Sequence, residues 1–326
     1  GGAMRLAGFH SLTMSNLALS FSRAGCLDKR LLAEVRGEIL GRSLKRCVGM
    51  SALSEEGLCM VDTKPRSASP DPREEEDANM MVSCQDLVGV AWASCVAGEQ
   101  EDTELLARVL MSAEANLEYL SYPLLKQLVQ VVITMMPLKR SSELPPTPLL
   151  SSVHSAPDEV ADDLLRRSDA LPPSFVYRMM SALRVQMPMA ERMGLASFEA
   201  PQSSNLHLKV SETLRGMKVP HGNEQPVLGG VLYIDIAVDG GLAIEVDGPT
   251  HFVGASKERN PETLFRARVL EKLGWRVLSV PFTEFQSLRG TKEKSAYLSK
   301  CLRKIDSRKG FSRGQRNGQK KHAGKK

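Results

Sequence analysis

What this sequence lacks narrows its function before any motif is read. Its longest apolar runs, Leu87 to Gly98 and Val131 to Met136, fall well short of the roughly 20 residues that cross a bilayer. Neither a membrane-spanning helix nor a membrane partner is therefore expected. The six cysteines, Cys26, Cys47, Cys59, Cys84, Cys95 and Cys301, form no CxxC pair, and a chain of 326 residues builds its cores without covalent staples. They read as reduced thiols. His10, His154, His207, His221, His251 and His322 are scattered without zinc-ligand spacing, so no cofactor is expected. Acids are missing before Asp28 and from Ser307 to Lys326.

What is present is globular. Hydrophobic residues at 42% and charged residues at 25% exclude a wholly disordered, collagenous or coiled-coil chain. The length exceeds what one core fills, so at least two domains are expected. The formal net charge of +5 is uneven: the acid-free tail holds Arg308, Lys309, Arg313, Arg316, Lys320, Lys321, Lys325 and Lys326, leaving residues 1–306 at −3. A polyanionic partner is thus indicated mainly by the tail.

Composition places mobile linkers at 54–79, around SASPDPREEED, and at 139–174, around ELPPTP and ALPPS. The surrounding sequence has helical period. Leu124, Leu128, Val131, Val132 and Met135 make the stripe of an amphipathic helix over Leu124 to Met136. Asp28-Lys-Arg-Leu-Leu-Ala-Glu-Val35 matches Asp102-Thr-Glu-Leu-Leu-Ala-Arg-Val109 at five of eight positions, 74 residues apart. Each copy follows an apolar segment, Leu17 to Gly25 or Leu87 to Gly98, and Asp is a good N-cap. The unit reads as helix, turn, helix, and the offset as two repeats of about 37 residues. A Leu17 to Gly25 helix inside such an array also argues against a cleaved transit peptide. The expected organisation is a helical-repeat region over 1–200, an α/β unit over 201–305 with its core at 231–302, and a disordered basic tail over 306–326.

From Val231 the period becomes that of strands. Val231-Leu-Tyr-Ile-Asp-Ile-Ala-Val238 and Leu242-Ala-Ile-Glu-Val-Asp247 flank Asp239-Gly-Gly241, a hairpin signal. A three-residue loop pairs Val238 with Leu242, Ile236 with Ile244 and Ile234 with Val246, gathering six aliphatics on one face. The other face then carries Asp235 opposite Glu245 and Tyr233 opposite Asp247. Facing carboxylates repel unless a cation or proton lies between them, which marks divalent-metal or acid–base sites. The plain alternative is a solvated acidic face neutralised by Lys or Arg. Gly248-Pro-Thr-His-Phe252 then forms an exit turn that brings His251 near Asp247.

Asn260 and Pro261 open a further helix, with Leu264, Ala267, Leu270 and, less centrally, Val269 and Leu273 on its expected buried side and Arg259, Arg266, Arg268 and Lys272 around the rest. Trp275-Arg-Val-Leu-Ser-Val280 is the next strand, and a last helix over Lys292 to Ile305 is expected to cover the sheet.

Ile244-Glu-Val-Asp-Gly-Pro-Thr-His-Phe252, the helix with Arg266 and Arg268, and Leu273-Gly-Trp-Arg-Val-Leu-Ser-Val-Pro281 together resemble the RAP domain, an RNA-binding module named for its abundance in apicomplexans. The resemblance covers about Val231 to Leu302. More loosely, the helical region is similar to FAST-kinase-like and octotricopeptide-repeat proteins. The resemblance implies an α+β chain in which a helical-repeat array precedes a small α/β domain of restriction-endonuclease-like, PD-(D/E)xK type. It further implies action on organellar rRNA or mRNA, in processing, stability or ribosome assembly, with ribosomal proteins as further partners. The compartment implied is the mitochondrion, with the plastid as alternative.

In the nuclease pattern, Asp235, Glu245 and Asp247 are the candidate metal carboxylates, with His251 the candidate proton handler. Asp247 stands where a lysine is expected, although Asp247 with His251 resembles the very-short-patch repair version. Glu212, the candidate for a preceding-helix carboxylate, points roughly 200° away from Val210 at 100° per residue and reads as solvated. The leading expectation is a non-catalytic RNA-binding protein. Its RNA-binding set is Asp247, His251, Arg259, Arg266, Arg268 and Arg276, with Arg308, Lys309, Arg313, Arg316, Lys320 and Lys321 from the tail. The alternatives are a metal-dependent endonuclease, the one reading that needs Mg²⁺, and a protein-binding solenoid with a vestigial nuclease fold.

Overall fold

The computed structural model describes residues 6–44, 81–139, 156–192, 204–254 and 256–318, with residues 7, 188–192 and 306–318 described by backbone alone. The described residues divide into two compact units, one helical and one built on a sheet, and residues 260–265 group with the helical one. The chain is α+β.

The helical unit holds α1 (Ser11–Arg23), α2 (Lys29–Gly41), α3 (Cys84–Ala97), α4 (Thr103–Glu114), α5 (Tyr122–Met135), α6 (Pro157–Arg167) and α7 (Pro173–Arg192). Local chemistry sets its boundaries. Asp28 caps α2 by accepting from the Arg30 N–H at 3.0 Å, and Asp102 caps α4 by accepting from the Leu105 N–H at 2.9 Å. Gly25 and Gly98 follow α1 and α3 with φ of +71° and +89°, a left-handed conformation that costs glycine nothing. Ser83 and Asp86 close a capping box at the start of α3. Both halves of the sequence echo thus take the same helix–turn–capped-helix form, with Leu32 and Val35 in one copy and Leu106 and Val109 in the other buried.

Helix α3 carries apolar side chains on every face and sits inside, packed by α1, α4 and α5. Leu87, Val88, Val90, Leu125 and Leu128 are fully buried, and each contributes about 1.5–3 kcal/mol by leaving water. Helix α5 falls where its stripe placed it, although Leu125 rather than Leu124 reaches the interior.

The linker expected at 139–174 is corrected in part. Residues 54–79 and 140–155 lie outside the described residues, but α6 occupies Pro157–Arg167 and buries Val160, Ala161 and Leu164. Proline at the helix start, Asp158 and Glu159 in the first turn and Arg166 and Arg167 in the last all favour a helix. The neighbouring prolines masked that pattern.

The sheet unit holds α8 (Asn205–Gly216), β1 (His221–Val227), β2 (Leu232–Val238), β3 (Leu242–Asp247), the part of α9 (Pro261–Lys272) from Arg266 on, β4 (Arg276–Pro281), α10 (Phe282–Gln286) and α11 (Gly290–Gly318). Its strands run in the order β1-β2-β3-β4, antiparallel except for the parallel β3–β4 pair. Strand β1, HGNEQPV, has no apolar alternation and contains Pro226, which an edge strand tolerates. Sequence pattern gave no sign of it. The hairpin has the expected register: Ile236 pairs with Ile244 and Val238 with Leu242, across a turn whose Gly240 and Gly241 both have positive φ.

Ile236, Leu242, Ile244 and Val246 pack with Val210 and Leu214 of α8, Val280, Phe285 and Leu298. On α9, Asn260 accepts from the Thr263 N–H at 2.8 Å, as an N-cap should. Val269, Leu270 and Leu273 are buried as expected, but Leu264 is exposed and Phe265 is buried instead. Helix α11 continues past Ile305 to Gly318, because nothing from Asp306 to Lys309 breaks a helix. Residues 319–326, the remainder of the expected disordered tail, lie outside the described residues.

Candidate nucleic-acid interface

Strand β3 lies between β2 and β4 and is buried along its whole length. Glu245 and Asp247, alternating with the aliphatics Ile244 and Val246, are therefore sunk into the unit, at 6% and 1% exposure. A solvated acidic face is excluded at these two positions. A carboxylate buried this deeply needs a partner for its charge.

Each acid is met differently. Glu245 Oε2 accepts from Arg266 Nε at 2.7 Å, and Arg266 Nη2 also donates to the Tyr233 carbonyl. Arg266 is thus turned toward the sheet, where the sequence placed it on the outer face. Glu245 Oε1 is buried with no hydrogen-bond partner. Burial pushes the Glu245 carboxyl above its ordinary range, Arg266 opposes the shift, and the Asp235 charge adds to it. Asp235 Oδ2 accepts from the Val246 N–H at 2.7 Å. The strand ladder runs only as far as Ile236–Ile244, so this carboxylate serves the backbone where the direct Asp235–Glu245 strand pair was expected. Burial also pushes Asp235 upward, against the Val246 hydrogen bond and Arg266.

Asp247 is held on both oxygens. Ser279 Oγ donates to Oδ2, and His251 Nδ1 donates to Oδ1 at 3.0 Å. His251 comes from the short turn Pro249–His251, with Pro249 and Thr250 exposed and its own side chain 38% exposed. The hydrogen bond to Asp247 raises the imidazole above its usual range and burial works against it. The result is an exposed-edge histidine locked by a buried carboxylate, with its cationic form favoured.

The other expected contacts are spread. Arg259, Arg268 and Arg276 are half-buried, and Arg276 Nη2 donates to the Gly240 carbonyl at 3.4 Å. Glu212 is exposed, as expected. The side chains of Arg308, Lys309, Arg313 and Arg316, together with all of Lys320 and Lys321, lie outside the described residues. Sequence reasoning missed one association altogether: His207 of α8, Glu224 of β1 and Asp235 of β2 bring one ligand atom each to within 4.8 Å of one another. No spacing signal links them, because three separate elements supply them. In the helical unit, Arg42, Ser43, Arg108, Ser112 and Asn116 help line a polar cleft of about 750 Å³. The Arg108 Nε, Ser112 Oγ and Asn116 Oδ1 atoms lack hydrogen-bond partners there.

The chain carries a RAP domain: residues 244–301 match that family's model. A RAP domain-containing protein, chloroplastic, from Oryza sativa subsp. japonica is 31% identical over 80 residues, a stretch amounting to 24% of this chain. The match covers 12% of the rice protein, so the chain spans only about an eighth of that relative. Among the described residues, no helix is long and apolar enough to cross a membrane.

Proposed function

Starting from a RAP domain at residues 244–301, we propose that the protein is a non-catalytic RNA-binding protein of organelle RNA metabolism. The observation that carries this reading is the Asp247–His251 pair. Asp247 is spent on His251 and Ser279, while His251 stands at an exposed turn with its side chain 38% exposed, a charge-assisted donor suited to a phosphate or a base edge. The ion pair between Glu245 and Arg266 supports binding over hydrolysis, since it occupies a carboxylate that a nuclease would give to Mg²⁺. On this reading a nuclease-type fold has been turned to recognition. The helical unit, with its arginine-lined cleft, adds a second contact surface, and the basic tail follows the RNA backbone. The chloroplastic rice relative supports an organellar destination, mitochondrion or plastid. Organellar rRNA or mRNA is the target class that fits.

The experiment is to mix the purified chain with labelled single-stranded RNA, with and without Mg²⁺. Binding without cleavage is expected. His251→Ala should weaken binding about tenfold, the loss of one hydrogen bond to a charged group. Removing Ser307 to Lys326 should lower the salt slope by about 0.7 for each phosphate that is no longer neutralised. Mg²⁺-dependent cleavage that disappears in both Asp235→Ala and Asp247→Ala would establish the nuclease instead. A chain with no RNA affinity at all would favour the protein-binding solenoid.

A further inference from the structure

In the sheet unit, His207 is nearly sealed from solvent, its side chain 4% exposed, and its Nδ1 lies 3.1 Å from Glu224 Oε1. Its Nε2 lies 3.4 Å from Asn223 Oδ1. The Asn223 amide is fixed in that orientation, because its Nδ2 donates to Ser211 Oγ at 3.1 Å. Ser211 in turn contacts His221 Nε2 at 2.8 Å. Both nitrogens of the His207 ring therefore face acceptor oxygens. A neutral imidazole that donates from Nε2 to Asn223 presents a lone pair at Nδ1 to a carboxylate, a contact that either a ring proton or a metal ion at that point relieves.

Asp235 completes the approach. It belongs to β2, while Glu224 holds the position opposite it in the β1–β2 register and stands outside the ladder pairs formed by Asn223 and Gln225 on either side. Glu224 has φ of +48°, a left-handed conformation unusual for a residue with a side chain, so the strand departs from regular geometry at the residue that supplies the carboxylate. Glu224, Asp235 and Glu245 all interact with the guanidinium of Arg266, and Asp235 also with His207. Glu245 Oε1, beside Asp235, is buried without a partner. Within the unit this is the point where one more cation would be best received.

We propose that His207, Glu224 and Asp235 bind one divalent transition ion of the Zn²⁺ type, which fastens α8 to the β1–β2 edge of the sheet. The 3.1 Å nitrogen–oxygen separation is close to the edge of a tetrahedron with bonds of about 2.0–2.1 Å. One imidazole and two carboxylates suit a borderline ion such as Zn²⁺. Ca²⁺ and Mg²⁺ prefer larger all-oxygen sets, and Cu(I) prefers thiolates. With three protein ligands, water takes the remaining position. Because the side chains of His207 and Glu224 are only 4% and 11% exposed, the ion's role is structural. The metal site stands independently of RNA binding.

The test uses the untagged full chain, stripped with a chelator, reloaded with Zn²⁺ and passed through gel filtration before elemental analysis. One equivalent of zinc per chain is expected. His207→Gln and Asp235→Asn should each abolish it, whereas Asp247→Asn, which alters the neighbouring His251 pair, should leave it in place. Loading with Co²⁺ provides a second readout: visible absorption of a four-coordinate ion in the parent chain, absent from Glu224→Gln. Failure of the parent chain to retain zinc overturns the proposal without reference to any variant's folding. Full retention by both His207→Gln and Glu224→Gln overturns it as well. RNA affinity measured on the stripped chain is a separate quantity, so either reading can fail alone.

Discussion

In the helical unit the centre of the interior is aliphatic. Leu87, Val90, Leu125, Leu128 and Val132 are fully buried, and α3 shows hardly a polar side to solvent. The sheet unit has an equally dry aliphatic face on β3, but the opposite face of that strand buries Glu245 and Asp247. In the helical unit the buried charges Arg42, Asp86 and Arg167 stand at helix ends. The sheet unit instead sets two carboxylates within a strand flanked on both sides, where each must be matched individually, a costly arrangement that stability alone does not require.

The largest expected effect sharpens this contrast at Arg266. Arg266→Ala leaves Glu245 and Asp235 without their cation and should cost about 3–5 kcal/mol in urea unfolding of the full chain, the penalty for orphaning one member of a buried ion pair. Arg266→Lys should recover only part of it, since one ammonium does not reproduce the fork that reaches both Glu245 and Tyr233. If Arg266→Ala proves neutral, the buried acids are held as neutral carboxylic acids and the two interiors differ less than their composition suggests.

Leu128→Ala in the helical unit should cost about 2–5 kcal/mol by opening a cavity. RNA affinity per folded molecule should stay unchanged in a filter-binding assay. A proportional fall in affinity would make the helical unit, not the sheet unit, the main contact surface.

A smaller effect lies in pH. Asp247 raises His251, with Asp235 adding to the shift and both burial and Arg266 opposing it. The imidazolium is therefore favoured in the folded chain. Its contribution to stability is complete below the ordinary histidine value of about 6.5 and is lost as pH rises through the elevated folded value. RNA affinity should decline over the same interval, and His251→Gln should flatten that profile. A pH-independent affinity in the parent chain would remove His251 from the RNA interface.

The smallest effects compare the two halves of the sequence echo. Asp28→Ala and Asp102→Ala each remove one cap and should cost about 1 kcal/mol apiece by thermal unfolding. Markedly unequal costs would mean that the matching octapeptides occupy unlike surroundings.

Much of this was readable from local pattern. The Asp caps, the α5 stripe and the hairpin register follow from residues close in sequence, where period and turn chemistry act directly. Helix α6 was hidden because prolines on either side outweighed a short apolar stripe. Strand β1 was hidden because an edge strand gains its hydrogen bonds from a neighbour and needs no apolar alternation of its own. Arg266 was assigned to the outer face because helical period fixes an angle around an axis without fixing what lies across from it. Phe265, not Leu264, therefore turned out to mark the inner side of α9.

The sequence by itself determined that two strands joined by Asp239-Gly-Gly241 would divide their side chains into an aliphatic and an acidic set, because successive side chains in a strand point to opposite faces. It determined equally that Gly248-Pro-Thr would return His251 to Asp247. Only the tertiary structure decided that the acidic set lies inside, since that depends on β4 pairing along the far edge of β3 and on Arg266 arriving from α9 to meet Glu245. It alone brought His207 to Glu224 and Asp235, because groups 11 to 28 residues apart on a helix and two strands meet only when those elements pack, and no local periodicity encodes that meeting.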